Sequence, residues 1–410
     1  MRTLTIAMVA IGFAALCPMA QARDVTLAQA EALLVSNNRE LQAARRAVES
    51  ADAQRLIAGA RPNATFSVNS TGIGSNAKPD TVFRIDQPFE RGNKRELRLD
   101  AAGGLQRAAH NDFLDALRQQ LATMQGAYFD LKLAQEKAQT LAENAELFSG
   151  TLNAAQRRLK AGDLAPVDVA KVEVDYERAQ NDARSAQAEL ARAQIALAYM
   201  LALETEAAGL RATDPWPGLE RADPVALERS LDARPDVTAA RERVQAAEKL
   251  RDLARAQRTR DVTLGAQYER FPGNIPSNSV GFGFAVPIFT GYDFSGDIQK
   301  AEVDRYAAMD ALARGRAVAL GELRRAAGDL NAAAERVERF DGSLLGAANR
   351  SAQAAEFAFS RGAISVLEVL DARRTMRAVR LEALGARADY AKALAAWRAA
   401  QASVQALEAK

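Results

Sequence analysis

Ala161-Gly162-Asp163-Leu164-Ala165-Pro166-Val167-Asp168-Val169 and Arg361-Gly362-Ala363-Ile364-Ser365-Val366-Leu367-Glu368-Val369 are one short pattern written twice. In each, a glycine closes a helix-forming stretch and an acidic residue followed by Val opens the next. A glycine so placed supplies the left-handed cap that ends a helix. The repeat predicts two helical hairpins that turn at Gly162 and Gly362.

Working outward, the helix after each turn carries apolar residues spaced alternately by three and four, the signature of a coiled-coil seam. The first runs Val169, Val172, Tyr176, Ala179, Ala183, Ala186, Leu190, Ala193, Leu197, Met200. The second runs Val369, Ala372, Met376, Val379, Ala383, Ala386, Tyr390, Ala393, Trp397, Ala400, Val404, Leu407. The helices before the turns do the same: Leu117, Leu121, Met124, Tyr128, Leu131, and then Leu320, Leu323, Ala327, Leu330, Ala334, Val337. Proline breaks helix interiors. The 12 prolines leave no proline between Pro88 and Pro166, and none after Pro287. The pre-turn helices therefore have room for about 65 residues, or about 100 Å.

The duplication extends beyond the turns, with a shift of about 196–200 residues. Glu40-Leu41-Gln42-Ala43-Ala44-Arg45 matches Asp236-Val237-Thr238-Ala239-Ala240-Arg241, and Gln87-Pro88-Phe89-Glu90-Arg91-Gly92 matches Val286-Pro287-Ile288-Phe289-Thr290-Gly291. Each half reads helix, strand, strand, long helix, turn, long helix. We divide the chain into a leader over 1–22, a first repeat over 23–204, an irregular Pro-rich connector over 205–226 and a second repeat over 227–410.

Composition agrees with thin helical layers. The 410 residues include 90 alanines, and only 6% are aromatic. Small side chains let helices approach closely, but they fill a thick core poorly. A formal net charge of +2 argues against a nucleic-acid binder. One Cys and one His leave no cluster of soft metal ligands, so neither a metal site nor a cofactor is expected. Gly281-Phe282-Gly283 lies within a strand pattern and leads into no helix, unlike a nucleotide loop. No Ser sits in a nucleophile-elbow context. His110 is alone and reads as a solvated or packed helical residue.

Residues 1–22 read as a secretory signal: Arg2, an apolar run from Leu4 to Leu16, and the small-x-small site Ala20-Gln21-Ala22. The apolar run is too short for a membrane anchor. Leu16 stands before Cys17, where a lipidated cysteine takes a small neighbour, so lipidation is not expected. Four short stretches alternate with period two: Phe66 and Val68; Phe83 and Ile85; Val262, Leu264 and Tyr268; Phe282, Phe284, Val286 and Ile288. Small or polar residues interleave with these apolar ones. That pattern fits barrel strands with these side chains facing lipid, or two amphipathic hairpins on a soluble core. Four strands cannot close a barrel and open edges cannot sit in lipid. An exported barrel protein of this kind must oligomerise, as a dimer with eight strands or a trimer with twelve.

The duplicated plan, the paired turn motifs and Pro287-Ile288-Phe289-Thr290-Gly291 together resemble the TolC-like outer-membrane efflux ducts of Gram-negative bacteria. Gln87-Pro88-Phe89-Glu90-Arg91-Gly92-Asn93-Lys94-Arg95 resembles the cobalt–zinc–cadmium resistance branch. The resemblance implies a mainly α fold with a small membrane β-part. In it, long antiparallel coiled coils form an α-barrel below a 12-stranded β-barrel, and a homotrimer closes both. It implies a passive exit duct in the outer membrane, reaching into the periplasm. That duct is docked to a periplasmic adaptor (a membrane fusion protein) and an inner-membrane pump of the RND type. It implies no catalysis and no nucleic-acid partner.

On that basis the adaptor-docking tips fall at Arg158, Leu159, Lys160, Gly162, Asp163, Leu164, Arg361, Gly362 and Ile364, unless these are plain hairpin caps. A pore constriction falls at Gln353 and Glu356, where three copies of Glu356 on a threefold axis would form an acidic ring; otherwise Glu356 is a solvated charge beside the seam. A drug or type I protein-export duct has the same architecture. A periplasmic coiled-coil structural protein is the reading from another class.

Overall fold

Long helices dominate the computed structural model, which describes residues 23–74, 78–223, 231–272, 275–361 and 363–409. The leader over 1–22, the boundary at 226–227 and Gly362 lie outside the described residues. In chain order the elements are β1 (Arg23–Val25), α1 (Leu27–Asn37), α2 (Arg39–Gly59), β2 (Thr65–Thr71), β3 (Asp80–Phe89), α3 (Lys94–Lys160) and α4 (Pro166–Leu201). A short 3-10 turn (Glu204–Gly209) leads to β4 (Leu210–Ala212) and α5 (Pro235–Ala256). Then come β5 (Val262–Phe271), β6 (Ser277–Ala285), α6 (Ser295–Arg339), a π-helical segment (Phe340–Leu344), α7 (Leu345–Ser360), α8 (Val366–Ala400) and α9 (Val404–Glu408). The described parts divide into two compact units, each drawing on both sequence halves.

The seams behave as their spacing predicts. Every post-turn heptad residue from Val169 to Met200 and from Val369 to Leu407 is buried or half-buried. So is every pre-turn seam residue from Leu117 to Leu131 and from Leu320 to Val337. One expectation needs correction. The last helix does not run unbroken through Val404 and Leu407 but ends at Ala400, and α9 begins after a three-residue break. Ser403 accepts a hydrogen bond from the amide of Ala406 and so caps a new helix. Leu407 remains buried.

Helix α3 is a continuous 67-residue helix, whereas its second-half counterpart is 45 residues of α6, five of π-helix and 16 of α7. The interval from Pro287 to Gly362 holds one residue more than that from Pro88 to Gly162. Before the π segment, Leu320, Leu323 and Leu330 align with Leu121, Met124 and Leu131; after it, Ala348 and Ala352 align with Phe148 and Leu152 one position further on. A π turn takes an additional residue into its wider loop. The segment thus absorbs the insertion and keeps both seams in phase.

In the first unit (the described parts of Met1–Ser36, Met124–Pro217 and Val337–Ala391), β1 and β4 pair in parallel, Arg23 opposite Leu210. The connector is therefore not wholly irregular: β4 anchors it. Tyr128, fully buried, donates its hydroxyl to the carbonyl of Val25 at 3.1 Å and accepts from the amides of Thr213 and Asp214, both at 3.1 Å. Phe129 stacks on Trp216 with centroids 6.0 Å apart, and the Lys132 ammonium lies 5.4 Å from the Trp216 ring. Along the hairpins, Phe148, Val169, Val172, Ala179 and Leu370 share one cluster.

In the second unit (the described parts of Asn37–Thr123, Gly218–Arg336 and Lys392–Lys410), the strands form one antiparallel sheet in the order β2-β3-β5-β6. Asn38 caps α2, accepting from the amides of Glu40 and Leu41. At the matching place in the second half, Arg234 precedes Pro235 at the start of α5 and is completely buried. Its guanidinium donates to both carboxylate oxygens of Asp236 (3.1 and 2.7 Å), to Glu322 (2.8 Å) and to the carbonyl of Ala400 at the end of α8 (3.1 Å). Burial alone would raise the Asp236 pKa. The Arg234 hydrogen bonds and charge, with Arg118 behind them, outweigh burial and hold it below the usual carboxylate range.

Two predictions follow from these joints. Arg234→Met strands two carboxylates, but both are partly exposed and can rehydrate, so the loss sits near the low end for a broken buried pair, about 3 kcal/mol. Because the folded pKa of Asp236 is lowered, its contribution is complete above the ordinary carboxylate pKa of about 4 and fades as pH falls through the lowered value. Helical circular dichroism in detergent, followed against temperature and pH, should show this acid-side loss flattened in Asp236→Asn. Deleting Gly342 from the π segment should restore regular α-helix with assembly retained. Deleting Glu335 from α6 rotates the following helix by about 100° and should abolish assembly. Equal yields of the two deletions would refute the phase argument.

Candidate functional site

The first tip is built by backbone geometry. After Lys160 the chain turns through Gly162 at φ 82°, in the region where a side chain is strained. The amide of Asp163 bonds to the carbonyl of Arg158 at 2.9 Å and that of Gly162 to Leu159 at 3.0 Å, a Schellman closure. Pro166 then opens α4. At the second tip the amide of Ala363 reaches the carbonyl of Ala358 at 2.9 Å, the matching bond. Ser365 and Glu368 cap α8 reciprocally: the Ser365 amide donates to Glu368 at 3.0 Å and the Glu368 amide to the Ser365 hydroxyl at 3.4 Å.

The structure brings these tips together within the first unit. The Arg158 guanidinium lies 5.9 Å from the Phe359 ring, and Arg361 lies 5.3 Å from Phe357. Leu159, Leu164 and Ile364 are half-buried, with Leu159 and Leu164 packed under the first turn rather than presented outward. The exposed apolar residues are instead Val167, Leu367 and Phe357, at 60%, 37% and 64% exposure. The sequence carried that signal: Val167 and Leu367 are repeat-equivalent and off the seam. Around them Arg157, Arg158 and Lys160 crowd the last turn of α3, where cations suit the helix dipole.

Gln353 and Glu356 are exposed one turn apart on α7. Glu356 is not a bare charge, because Arg373 of α8 donates to it at 2.9 Å and to the Thr151 hydroxyl at 3.2 Å. The same face of α8 places Arg374 against the buried carboxylate of Asp175 and Arg377 2.8 Å from Asp182. Sequence reading missed this row of arginines, since Asp175 and Asp182, the partners of Arg374 and Arg377, lie on the other hairpin.

In the second unit the register sorts the strand residues by face. Phe66, Ile85, Ala266 and Phe282 form one cross-strand row, and Val68, Phe83, Tyr268 and Val280 the next. Leu264 with Phe284, and Val262 with Phe89, continue the same face. The other face carries Ser67, Arg84, Gln267 and Gly281 in one row, and Thr65, Asp86, Gly265 and Gly283 in the next. Val286 and Ile288 do not belong to a strand: β6 ends at Ala285, two residues before Pro287, which lacks a ladder donor. Among the described residues the outer edges of β2 and β6 have no partner strand.

Among the described residues no group of three or more His, Cys, Asp or Glu could hold a metal ion, and no helix is long and apolar enough to cross a membrane. His110 lies on the surface, 3.5 Å from Glu408.

The outer membrane efflux protein family model matches residues 31–203 and 226–405. The chain belongs to that family. It is an outer-membrane efflux channel protein, and the proteins of this family are channels rather than enzymes, working with a periplasmic adaptor and an inner-membrane pump. The cobalt-zinc-cadmium resistance protein CzcC of Cupriavidus metallidurans is 26% identical over 374 residues, spanning 90% of this chain and 88% of that protein. The Campylobacter jejuni CmeC outer membrane channel superposes with a TM-score of 0.78 at 17% identity, covering 92% of this chain and 85% of that one. CusC superposes with a TM-score of 0.76 at 19% identity, covering 93% of each chain. The fold class is thus that of the TolC-like channels.

The two faces of the sheet make a direct prediction. An arginine at Phe282, on the apolar face, should lower folded protein in the outer-membrane fraction, at a penalty of about 2–4 kcal/mol near the bilayer centre. An arginine at Asn69, on the polar face, should be recovered at wild-type level. Equal recovery of the two would assign the faces wrongly.

Proposed function

We propose that the chain assembles as a homotrimer, lending four strands per copy to a 12-stranded barrel, and conducts heavy-metal cations outward without binding them tightly. One observation carries the assembly: an apolar sheet face bounded by two unpaired edges, in a protein of the outer membrane. Unpaired backbone groups at those edges are untenable in lipid, and twelve strands give a barrel wide enough for a lumen where eight would be filled by side chains. The cargo rests on likeness to CzcC along nine-tenths of the chain, and a pump of the RND type follows with it. Export begins with removal of residues 1–22 after Ala22, immediately before β1 at Arg23.

The tips dock the adaptor. Val167, Leu367 and Phe357 offer exposed apolar contacts, and Arg158, Lys160 and Arg361 surround them with positive charge. A partner surface with apolar residues inside an acidic rim fits this patch. Leu159 and Leu164 support the first turn from beneath, Ile364 is half-buried at the second, and Gly162 and Asp163 set the shape of the first. Gln353 and Glu356 line the narrowest part of the passage, where the pairing with Arg373 tempers the negative field of Glu356.

Deleting the gene should raise sensitivity to cobalt, zinc and cadmium, and the wild-type gene should restore resistance. Gly162→Val, Val167→Glu and Leu367→Glu should reach the outer membrane as assembled protein yet restore little resistance. Normal resistance in all three would refute tip docking. Unchanged metal sensitivity with raised drug sensitivity in the deletion strain would refute the metal cargo.

A further inference from the structure

The polar face of the sheet holds a chain of side chains that the channel reading does not use. Asp86 takes a bidentate pair from Arg84, Nε to Oδ2 at 2.7 Å and Nη2 to Oδ1 at 2.9 Å. Arg84 Nη1 donates to Gln267 Oε1 at 3.2 Å. Gln267 Nε2 donates to Glu269 Oε1 at 2.6 Å, and the Ser279 hydroxyl donates to Glu269 Oε2 at 2.9 Å. The chain crosses β3, β5 and β6 and fixes the orientation of the Gln267 amide, because its oxygen must accept and its nitrogen must donate.

Two glycines let this chain lie flat against the sheet. A Cβ at Gly265 would collide with Asp86 Oδ1 and stand 3.0 Å from Arg84 Nη2. One at Gly281 would stand 3.1 Å from Gln267 Cγ. Side chains at these two positions would push the network out into the space above the sheet.

The charges do not cancel. Asp86 and Arg84 neutralise one another, but both oxygens of Glu269 are held by neutral donors. Among the described residues Glu269 makes no ion pair, and Arg270, next in the strand, falls on the apolar face. A carboxylate held by neutral donors has no counter-charge beside it and loses its freedom to swing away.

We propose that Glu269 is a selectivity-determining residue of the barrel, a fixed negative charge that favours small cations over anions in transit. Arg84 is a positioning residue: it orients Gln267 and screens Asp86. The inference rests on the trimeric barrel reading, in which three copies of Glu269 stand at one level of the wall. There they raise the local cation concentration without chelating any single ion.

Purified full-length channel in planar lipid bilayers under a potassium chloride gradient tests it through the reversal potential. Wild type should prefer potassium over chloride. Glu269→Gln should cut that permeability ratio by about half or more, and Glu269→Asp should retain most of it. Arg84→Gln should move the ratio the other way, because Asp86 loses its counter-charge. Conducting Glu269→Gln channels with the wild-type reversal potential would overturn the inference and leave the barrel reading standing. Should Glu269→Gln not assemble, an unchanged or lowered ratio in Arg84→Gln overturns it equally. A folded wild-type protein without conductance would overturn the barrel reading and this inference together.

Discussion

A coiled-coil arm of such length stays zipped only if its apolar seam keeps phase from base to tip. An α-helix drifts by about 20° per heptad against a strict seven-residue repeat, and one surplus residue turns the seam by about 100°. Both pre-turn arms obey this constraint, by different means. Helix α3 meets it with an uninterrupted run, while the second arm hides its additional residue in the Phe340–Leu344 π segment. The turns then fall at equivalent places, so Val167 and Leu367 emerge as equivalent exposed positions one residue after Val366 or Pro166. Alanine serves the same requirement. Ala179, Ala186, Ala383 and Ala386 are almost fully buried on the seams, where larger side chains would hold the helices further apart.

Rows of charge complete what the seams begin. The alanine seams supply little apolar area per turn, so specificity between arms must come from elsewhere. Arg374 with Asp175 and Arg377 with Asp182 link α8 to α4. Of these the pair at Asp175 matters most to the fold: its carboxylate is buried, so losing Arg374 would leave a charge without solvent or partner. Arg234 does comparable work in the other unit, tying the start of α5 to α6 and to the end of α8. It stands where Asn38 stands in the first half, but it makes no side-chain cap and anchors the helix start through its guanidinium instead.

The sequence made most of the architecture legible because its periods are long and its motifs occur twice. Heptads, turns and the apolar strand face needed only local spacing, which is why Phe66, Phe83, Leu264 and Phe282 could be assigned to one face in advance. What stayed hidden depends on partners far along the chain. Strands β1 and β4 are three residues each, too short for any period to register, and their pairing spans most of the first half. The arginine row on α8 reads as ordinary surface charge until the other hairpin is placed beside it. Leu164 and Ile364 each follow a turn, yet both are half-buried, and Leu164 packs against the apolar cluster of the first hairpin. Val286 and Ile288 continued the alternation on paper, yet β6 ends at Ala285 and the ladder does not reach them.

The polar network on the sheet carries the last step. A duct that bound its cargo would slow it, since tight binding opposes release. Glu269 is therefore best understood by what surrounds it: an amide and a hydroxyl, each donating one hydrogen bond, and among the described residues no group of three or more His, Cys, Asp or Glu that could hold a metal ion. Gly265 and Gly281 remove the side chains that would lift the network off the strands. The outcome is a charge set into a flat wall. Such a charge biases which ions enter, while the lack of a metal-holding group among the described residues lets each ion leave as readily as it came.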